Sequence, residues 1–212
     1  MAPGPLAVVF LFPRTVDRNG SPWDQGVSRC VSWKRSTDLW SAVPYFGNDN
    51  EQSDASPDLE LPAFIANAAD AARAFQKTPS RRDCSGFWNA VRRAVQPGDA
   101  ARQVQKHMIV LAPDELAESA EDGLIAAIHA SRVSIQVLSL AANPILREFC
   151  QRVGGRFEHI GERSTVEEAV SSAYLSLLAR YEIRYQSVAA DASRVKVRVQ
   201  TPNGWGETNI DL

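Results

Sequence analysis

The sequence lacks a basic excess and any long apolar run. Among its 212 residues, 23 Lys and Arg oppose 25 Asp and Glu, for a net charge of -2. Nucleic-acid binders usually carry a clear basic excess because phosphate contacts dominate their affinity. No stretch approaches the roughly 18 apolar residues that a membrane span requires. We therefore expect neither a nucleic-acid partner nor membrane insertion.

Cysteine is also scarce. Cys30, Cys84 and Cys150 are widely spaced and odd in number, and no CxxC or His-x-x-x-His spacing accompanies them. This pattern argues against a disulfide framework and a structural zinc site. Unpaired cysteine is among the most buried residue types, so we interpret all three as buried free thiols.

Known catalytic motifs are missing. The sequence has no G-x-G-x-x-G, G-x-x-x-x-G-K-[ST], G-x-S-x-G or H-E-x-x-H, which removes the starting residues for dinucleotide, phosphate-loop, esterase and zincin chemistry. His107, His129 and His159 are isolated in sequence, and we assign them structural roles. An enzyme that uses Cys84 or Asp114 as its working group remains a rival hypothesis.

An export signal is also not evident. The apolar run Leu6–Phe12 is short, no Lys or Arg precedes it, and no small-x-small cleavage site follows. The chain as written is therefore expected in the cytoplasm. An exported or periplasmic location is the alternative if the true N-terminus lies upstream.

The composition is that of an ordinary globular domain, with 44% hydrophobic and 23% charged residues. The pattern along the chain predicts an α/β fold. The continuous apolar run LAVVFLF predicts a strand buried on both faces. Residues 27–33 and 39–46 suggest two short antiparallel strands. Strands alternate with helices through the middle of the chain, which indicates βαβ units and a mainly parallel sheet. Further strands are predicted at 107–112, 133–140 and 157–160, and helices at 59–77, 87–95, 117–131, 144–153 and from a Ser164–Glu167 capping box to about Arg180.

The C-terminal region alternates with a period of two. Tyr181–Gln186 and Val195–Gln200 are expected to pair as antiparallel strands. We accordingly predict one domain over residues 1–186, with residues 187–212 as its C-terminal hairpin extension.

The order of segments from Lys106 onward resembles a known family. It runs KHMIVLAPDE, RVSIQVLSL, FCQRVGGRFEHI, STVEEAV, LLARYEIRYQ and VKVRVQTPNGWGE. This is similar to a von Willebrand factor type A (vWA) domain, especially the bacterial branch with a tail hairpin of the form YxIxY…VKVRV. The similarity covers residues 104–207. It implies a three-layer, Rossmann-like α/β fold whose mainly parallel sheet is flanked by helices and extended by a C-terminal antiparallel hairpin.

The family's cation site is degenerate in this sequence. The resemblance implies Mg²⁺ held by an Asp-x-Ser-x-Ser loop after the first strand, a Thr before a middle helix, and an Asp after the fourth strand. The position after LAVVFLF holds Pro13 instead. The nearest equivalents of the Asp-x-Ser-x-Ser residues, Asp17, Asn19 and Ser21, are displaced along the chain. We therefore interpret the site as lost and expect no cofactor. The alternative is a Mg²⁺ site built from Asp17, Asn19, Ser21, Ser85 and Asp114.

The family's long first helix is also not evident, because residues 13–32 are rich in turn formers. We expect that helix to be reduced to a loop. The amphipathic segment 59–77 would then cover the vacated face of LAVVFLF through Phe64 or Ile65, with help from Trp23. Trp23 and Trp40 lie near turn-rich sequence, which favours exposure of one or both.

The function implied by the resemblance is non-catalytic protein–protein interaction of the adhesion or scaffold type. Loops at the carboxyl ends of the strands would bind a protein partner. These loops are Arg14–Gln25, Arg81–Gly86 and Pro113–Glu118. The sequence leaves the oligomeric state open. The first alternative is a Mg²⁺-dependent ligand-binding domain, and the second is an enzyme on the same scaffold.

Overall fold

The structure is a computed structural model that describes residues 5–13, 22–45, 64–76, 86–95, 105–113, 116, 118–161, 164–178, 194–201 and 204–211. The chain divides into two compact units, Met1–Arg180 and Tyr181–Leu212. The expected boundary between residues 186 and 187 stays a prediction.

The first unit is built on a five-stranded parallel sheet with the strand order β2-β1-β3-β4-β5. β1 is an interior strand between β2 and β3, and its residues Leu6–Phe12 are all buried, as the unbroken apolar run predicted. The strands are β1 Leu6–Pro13, β2 Leu39–Tyr45, β3 Gln105–Leu111, β4 Ser134–Ser139 and β5 Arg156–His159.

Helices cover both faces of this sheet. One core cluster joins Val9 and Leu11 of β1 to three helices, and the other joins Val8 and Phe10 to the remaining three. Because side chains alternate along β1, successive residues enter opposite layers. The predicted three-layer α/β fold is confirmed. The first layer contains α3 Phe87–Val95, α4 Asp122–Ser131 and α5 Pro144–Val153; the second contains α1 Pro22–Val31, α2 Ala68–Gln76 and α6 Val166–Leu178.

Local capping signals set several helix ends. The Asn143 side chain accepts hydrogen bonds from the Ile145 and Leu146 amides, and Gly154 ends α5 with a φ of 67°. At α6 the capping box lies one residue later than predicted. The Thr165 hydroxyl accepts from the Glu168 amide at 3.1 Å, while the Glu168 carboxylate accepts from the Thr165 amide at 3.0 Å.

The prediction for the first helix was wrong. Residues 27–31, interpreted as a strand, form the second half of the ten-residue helix α1. Trp23, Val27 and Cys30 follow i, i+4, i+7 spacing and are all buried, so this segment has the apolar stripe of a helix. β2 consequently pairs parallel with β1 instead of antiparallel with residues 27–33.

The vacated face that segment 59–77 was expected to cover is therefore not vacant. Trp23 of α1 packs on Phe10 and Phe12, with ring centroids 6.3 and 5.9 Å apart, and Tyr174 of α6 lies 6.3 Å from Phe10. Trp23 thus supports β1, as predicted, but from a helix and not from a loop. The expectation of an exposed tryptophan was wrong, since Trp23 and Trp40 are both buried.

The segment before α2 is extended, which shortens the predicted helix. Ile65 exchanges two backbone hydrogen bonds with Trp40, at 3.0 and 2.7 Å, so it lies antiparallel along the outer edge of β2. Phe64 and Ile65 are half-buried and pack against the two opposite core clusters. Residues 59–63 lie outside the described part. In α4, similarly, residues 118–121 of the predicted helix are not helical.

The second unit contains β6 Arg194–Thr201 and β7 Gly204–Asp211, which pair antiparallel from Arg194↔Asp211 to Thr201↔Gly204. Val195–Gln200 is therefore a strand, as predicted, but β7 was not anticipated. The pairing of Val195–Gln200 with residues 181–186 stays a prediction because residues 179–193 lie outside the described part.

Candidate functional site

The carboxyl ends of the five parallel strands meet at one side of the first unit. We call this side the carboxyl edge; its described strand ends are Pro13, Tyr45, Leu111, Ser139 and His159. Open α/β sheets bind their ligands along this edge. The carboxyl edge is therefore the candidate functional site.

The predicted cation ligands fall outside the described residues. Asp17, Asn19, Ser21, Ser85 and Asp114 are not placed, and neither is Cys84. Both the Mg²⁺ site and its loss therefore stay predictions. Within the part of the chain that the structure does describe, no three His, Cys, Asp or Glu side chains come close enough together to hold a metal ion.

A tyrosine side chain links two strands at the carboxyl edge, on either side of β1. Pro13 ends β1 in register with Tyr45 of β2. The buried Tyr45 hydroxyl donates to the Leu111 carbonyl of β3 at 2.9 Å, and its ring lies 5.2 Å from that of Phe87. This bond joins the strands on either side of β1. This bond is not predictable from the sequence, because it depends on three strands meeting in space.

At the carboxyl edge, the residue after β4 has an exposed apolar side chain. Leu140 follows β4 directly and is 50% exposed, one of two large hydrophobic residues of the described chain that are exposed. The buried Ser139 hydroxyl donates to the Ala141 carbonyl at 2.8 Å, and His159 Nε2 hydrogen-bonds to the Leu140 carbonyl at 3.0 Å. The backbone around Leu140 is thus fixed from two sides, while its side chain faces solvent.

The two described cysteines are poor nucleophiles. Cys30 and Cys150 are buried free thiols, which confirms the prediction for these two. Burial raises the pKa of each to about 12, because desolvation disfavours the thiolate. Since the thiolate is the reactive form, neither residue suits covalent catalysis.

Among the described residues the most deeply buried charge is that of Asp38, which lies at the amino ends of the strands and has a structural role. The Asp38 carboxylate accepts from the Leu6 amide at 3.0 Å, from the Arg35 guanidinium at 2.8 Å and from the Tyr174 hydroxyl at 3.4 Å. Burial, followed by the nearby Asp38 charge, raises the pKa of Tyr174. The network fixes the start of β1 to the turn before β2.

No helix in the described part of the chain is long and apolar enough to cross a membrane.

Solved structures share the fold described above, whereas no protein-family model and no curated protein sequence matches the chain. The VWA domain of SpRpn10 is similar over 79% of this chain and 94% of its own, with a TM-score of 0.53 and 10% identity. BatB, a conserved hypothetical protein from Bacteroides thetaiotaomicron, is similar over 84% and 99%, with a TM-score of 0.52 and 13% identity.

A von Willebrand factor type A protein from Catenulispora acidiphila gives a TM-score of 0.55 at 14% identity. That similarity covers 83% of this chain and 42% of the other protein. The fold is therefore that of a vWA-like domain.

Proposed function

We propose that this protein is a non-catalytic protein-interaction domain of the adhesion or scaffold type, and that its partner docks on the carboxyl edge. The fold supports this proposal because the class commonly serves interaction. The low reactivity of Cys30 and Cys150 agrees with it. The proposal does not depend on a cation.

The exposed Leu140 carries the proposal. Leu140 is half-exposed and can give a partner apolar contact area. Because Ser139 and His159 already hold its backbone, binding would lose little conformational entropy there. It lies at the edge where α/β sheets place their ligands. The docking site would include Leu140 together with the predicted loops Arg14–Gln25, Arg81–Gly86 and Pro113–Glu118.

Leu140→Asp tests this proposal against a matched control. Leu175, on α6, is the other exposed large hydrophobic residue of the described chain, at 42%. Its neighbour Tyr174 bonds to Asp38 at the amino ends of the strands, so Leu175 lies away from the carboxyl edge. Proteins that cross-link to the wild-type chain in its source cells would be quantified by mass spectrometry, and the leading one purified for direct titration. We expect Leu140→Asp to weaken its binding at least about tenfold, or about 1.4 kcal/mol, and Leu175→Asp to leave it unchanged.

Equal loss in both variants, or in neither, would contradict docking at the carboxyl edge. The same titration in Mg²⁺ and in EDTA tests the alternative, a Mg²⁺-dependent site at Asp17, Asn19, Ser21, Ser85 and Asp114. Binding that persists in EDTA supports the cation-independent function. Binding that requires Mg²⁺, with heat on titrating Mg²⁺ alone, supports the alternative.

A further inference from the structure

The last strand of the sheet has an outer edge that pairs with no other strand among the described residues. The Ile160 amide donates to the Ser139 carbonyl of β4 at 2.8 Å. Successive residues of a strand direct their backbone groups to opposite sides, so Arg156 and Glu158 also bond towards β4. The N–H and C=O groups of Phe157 and His159 consequently point outward, where they can accept another strand.

The side chains of β5 carry opposite charges two residues apart. Arg156 and Glu158 lie on one face of the strand, 3.5 Å from each other, with side chains 67% and 32% exposed. Phe157 is half-buried on the other face, with the Arg147 guanidinium 5.7 Å from its ring centroid. Along β5 a basic residue, Arg156, is therefore followed by an aromatic one, Phe157, and an acidic one, Glu158.

This order is self-complementary in only one antiparallel register. Centring a two-fold axis on Arg156 or on Glu158 places two like charges directly opposite each other, which is destabilising. Centring it on Phe157 places each Arg156 opposite a Glu158 of the other copy. In this register Phe157 lies opposite Phe157 of the other copy, and the two residues exchange backbone hydrogen bonds because their N–H and C=O groups point outward. Arg156 and Glu158 then form the non-hydrogen-bonded pairs, in which the side chains lie closer together.

We propose that a second copy of this chain pairs antiparallel with β5 about a two-fold axis at Phe157, joining two five-stranded sheets into one. The occupant is identified by charge complementarity, since the strand complements itself. Edge strands of monomeric proteins are commonly protected by charged side chains, proline, a bulge or their shortness. β5 has no lysine or proline, and its two charges, which would repel an unrelated strand of like charge, pair with each other in this two-fold register. A four-residue strand is short, so the dimer is expected to be weak and concentration-dependent.

Sedimentation velocity on the full chain tests this proposal over about a hundredfold range of concentration. We expect the wild type to pass from monomer to dimer. Arg156→Glu and Glu158→Arg each place two like-charge pairs in the interface by symmetry, and each should weaken dimerisation about tenfold. The double exchange Arg156→Glu with Glu158→Arg restores both pairs and should restore the dimer.

Arg92→Glu is the control, because Arg92 forms an exposed ion pair with Glu121 on another face of the domain. It should leave dimerisation unchanged. Circular dichroism would verify that every variant is folded, and recovery in the double variant separates a pairing effect from damage to the fold. A wild type that stays monomeric, single variants that dimerise normally, or a double variant that fails to recover would each overturn the proposal.

Discussion

At the scale of single residues, one glycine decides how closely two helices pack. A Cβ added at Gly26 of α1 would lie 3.0 Å from the Val170 Cβ and 3.1 Å from the Glu167 Cα of α6. Such distances leave no room for a larger side chain without moving one helix. In the sequence Gly26 is one of several turn formers between residues 13 and 32, whereas the structure shows that its missing side chain lets α1 approach α6 closely.

Gly26→Val should destabilise the domain by about 1–3 kcal/mol, because overpacking forces helix α1 away from α6. Gly123→Ala is the matched control: Gly123 lies in α4, and an added Cβ would have nothing within 4 Å. It should stabilise the domain by about 0.5–1 kcal/mol through helix propensity alone. Urea unfolding would measure both changes, and equal effects of the two substitutions would contradict a packing role for Gly26.

At the scale of elements, the segment along the β2 edge is held by a lysine. The Lys34 ammonium donates to the carbonyls of Arg35, Asp38 and Ala66, and it lies 5.9 Å from the Trp40 ring centroid. Burial lowers its pKa. Lys34 therefore joins the turn before β2 to the extended segment Phe64–Ala66, which otherwise bonds to β2 through Trp40 and Ile65.

Lys34→Met should loosen this edge segment without unfolding the sheet. Losing a charged donor to Ala66 costs about 1.5 kcal/mol, so the amides of Trp40 and Ile65 should exchange with deuterium about tenfold faster. Amides of β3 and β4 should be unaffected. Arg73→Met is the control, since Arg73 forms an exposed ion pair with Asp70 within α2. Uniform acceleration across all strands would show that Lys34 supports the whole fold instead.

At the scale of the whole molecule, the first unit contains two described core clusters, and every member of them lies between Leu6 and Leu178. A chain ending at Arg180 should therefore unfold in one cooperative transition, with a free energy of unfolding within about 1 kcal/mol of the first-unit transition in the full chain. Residues 181–212 alone should be largely unfolded, because the described part of this unit is a two-stranded hairpin of β6 and β7, and such a hairpin is marginal in water.

Urea denaturation followed by tryptophan fluorescence would check the shortened chain. Its failure to fold would show that the C-terminal unit completes the core of the first one. That outcome would favour the prediction of a hairpin that extends the same domain.

The sequence by itself determined the layer architecture and the order of most elements. Leu6–Phe12 is apolar at every position, and a strand of this kind must be covered on both faces. Asn143 with Pro144, and Gly154 after Val153, set the ends of α5 through bonds that span only a few residues. Such local signals can be read from the chain because the atoms involved are near neighbours in sequence.

Tertiary structure alone decided the features whose contacts join distant residues. Residues 27–31 could be strand or helix by local pattern, and burial against Phe10 and Tyr174 selects the helix. Ile65 is extended because Trp40 supplies its hydrogen bonds, and Tyr45 closes the edge above β1 because Leu111 lies across from it. The candidate site depends on five strand ends converging, and a linear sequence does not state which backbone groups will meet there. The free energy of those long-range bonds exceeds the small local preferences, so the fold overrides them.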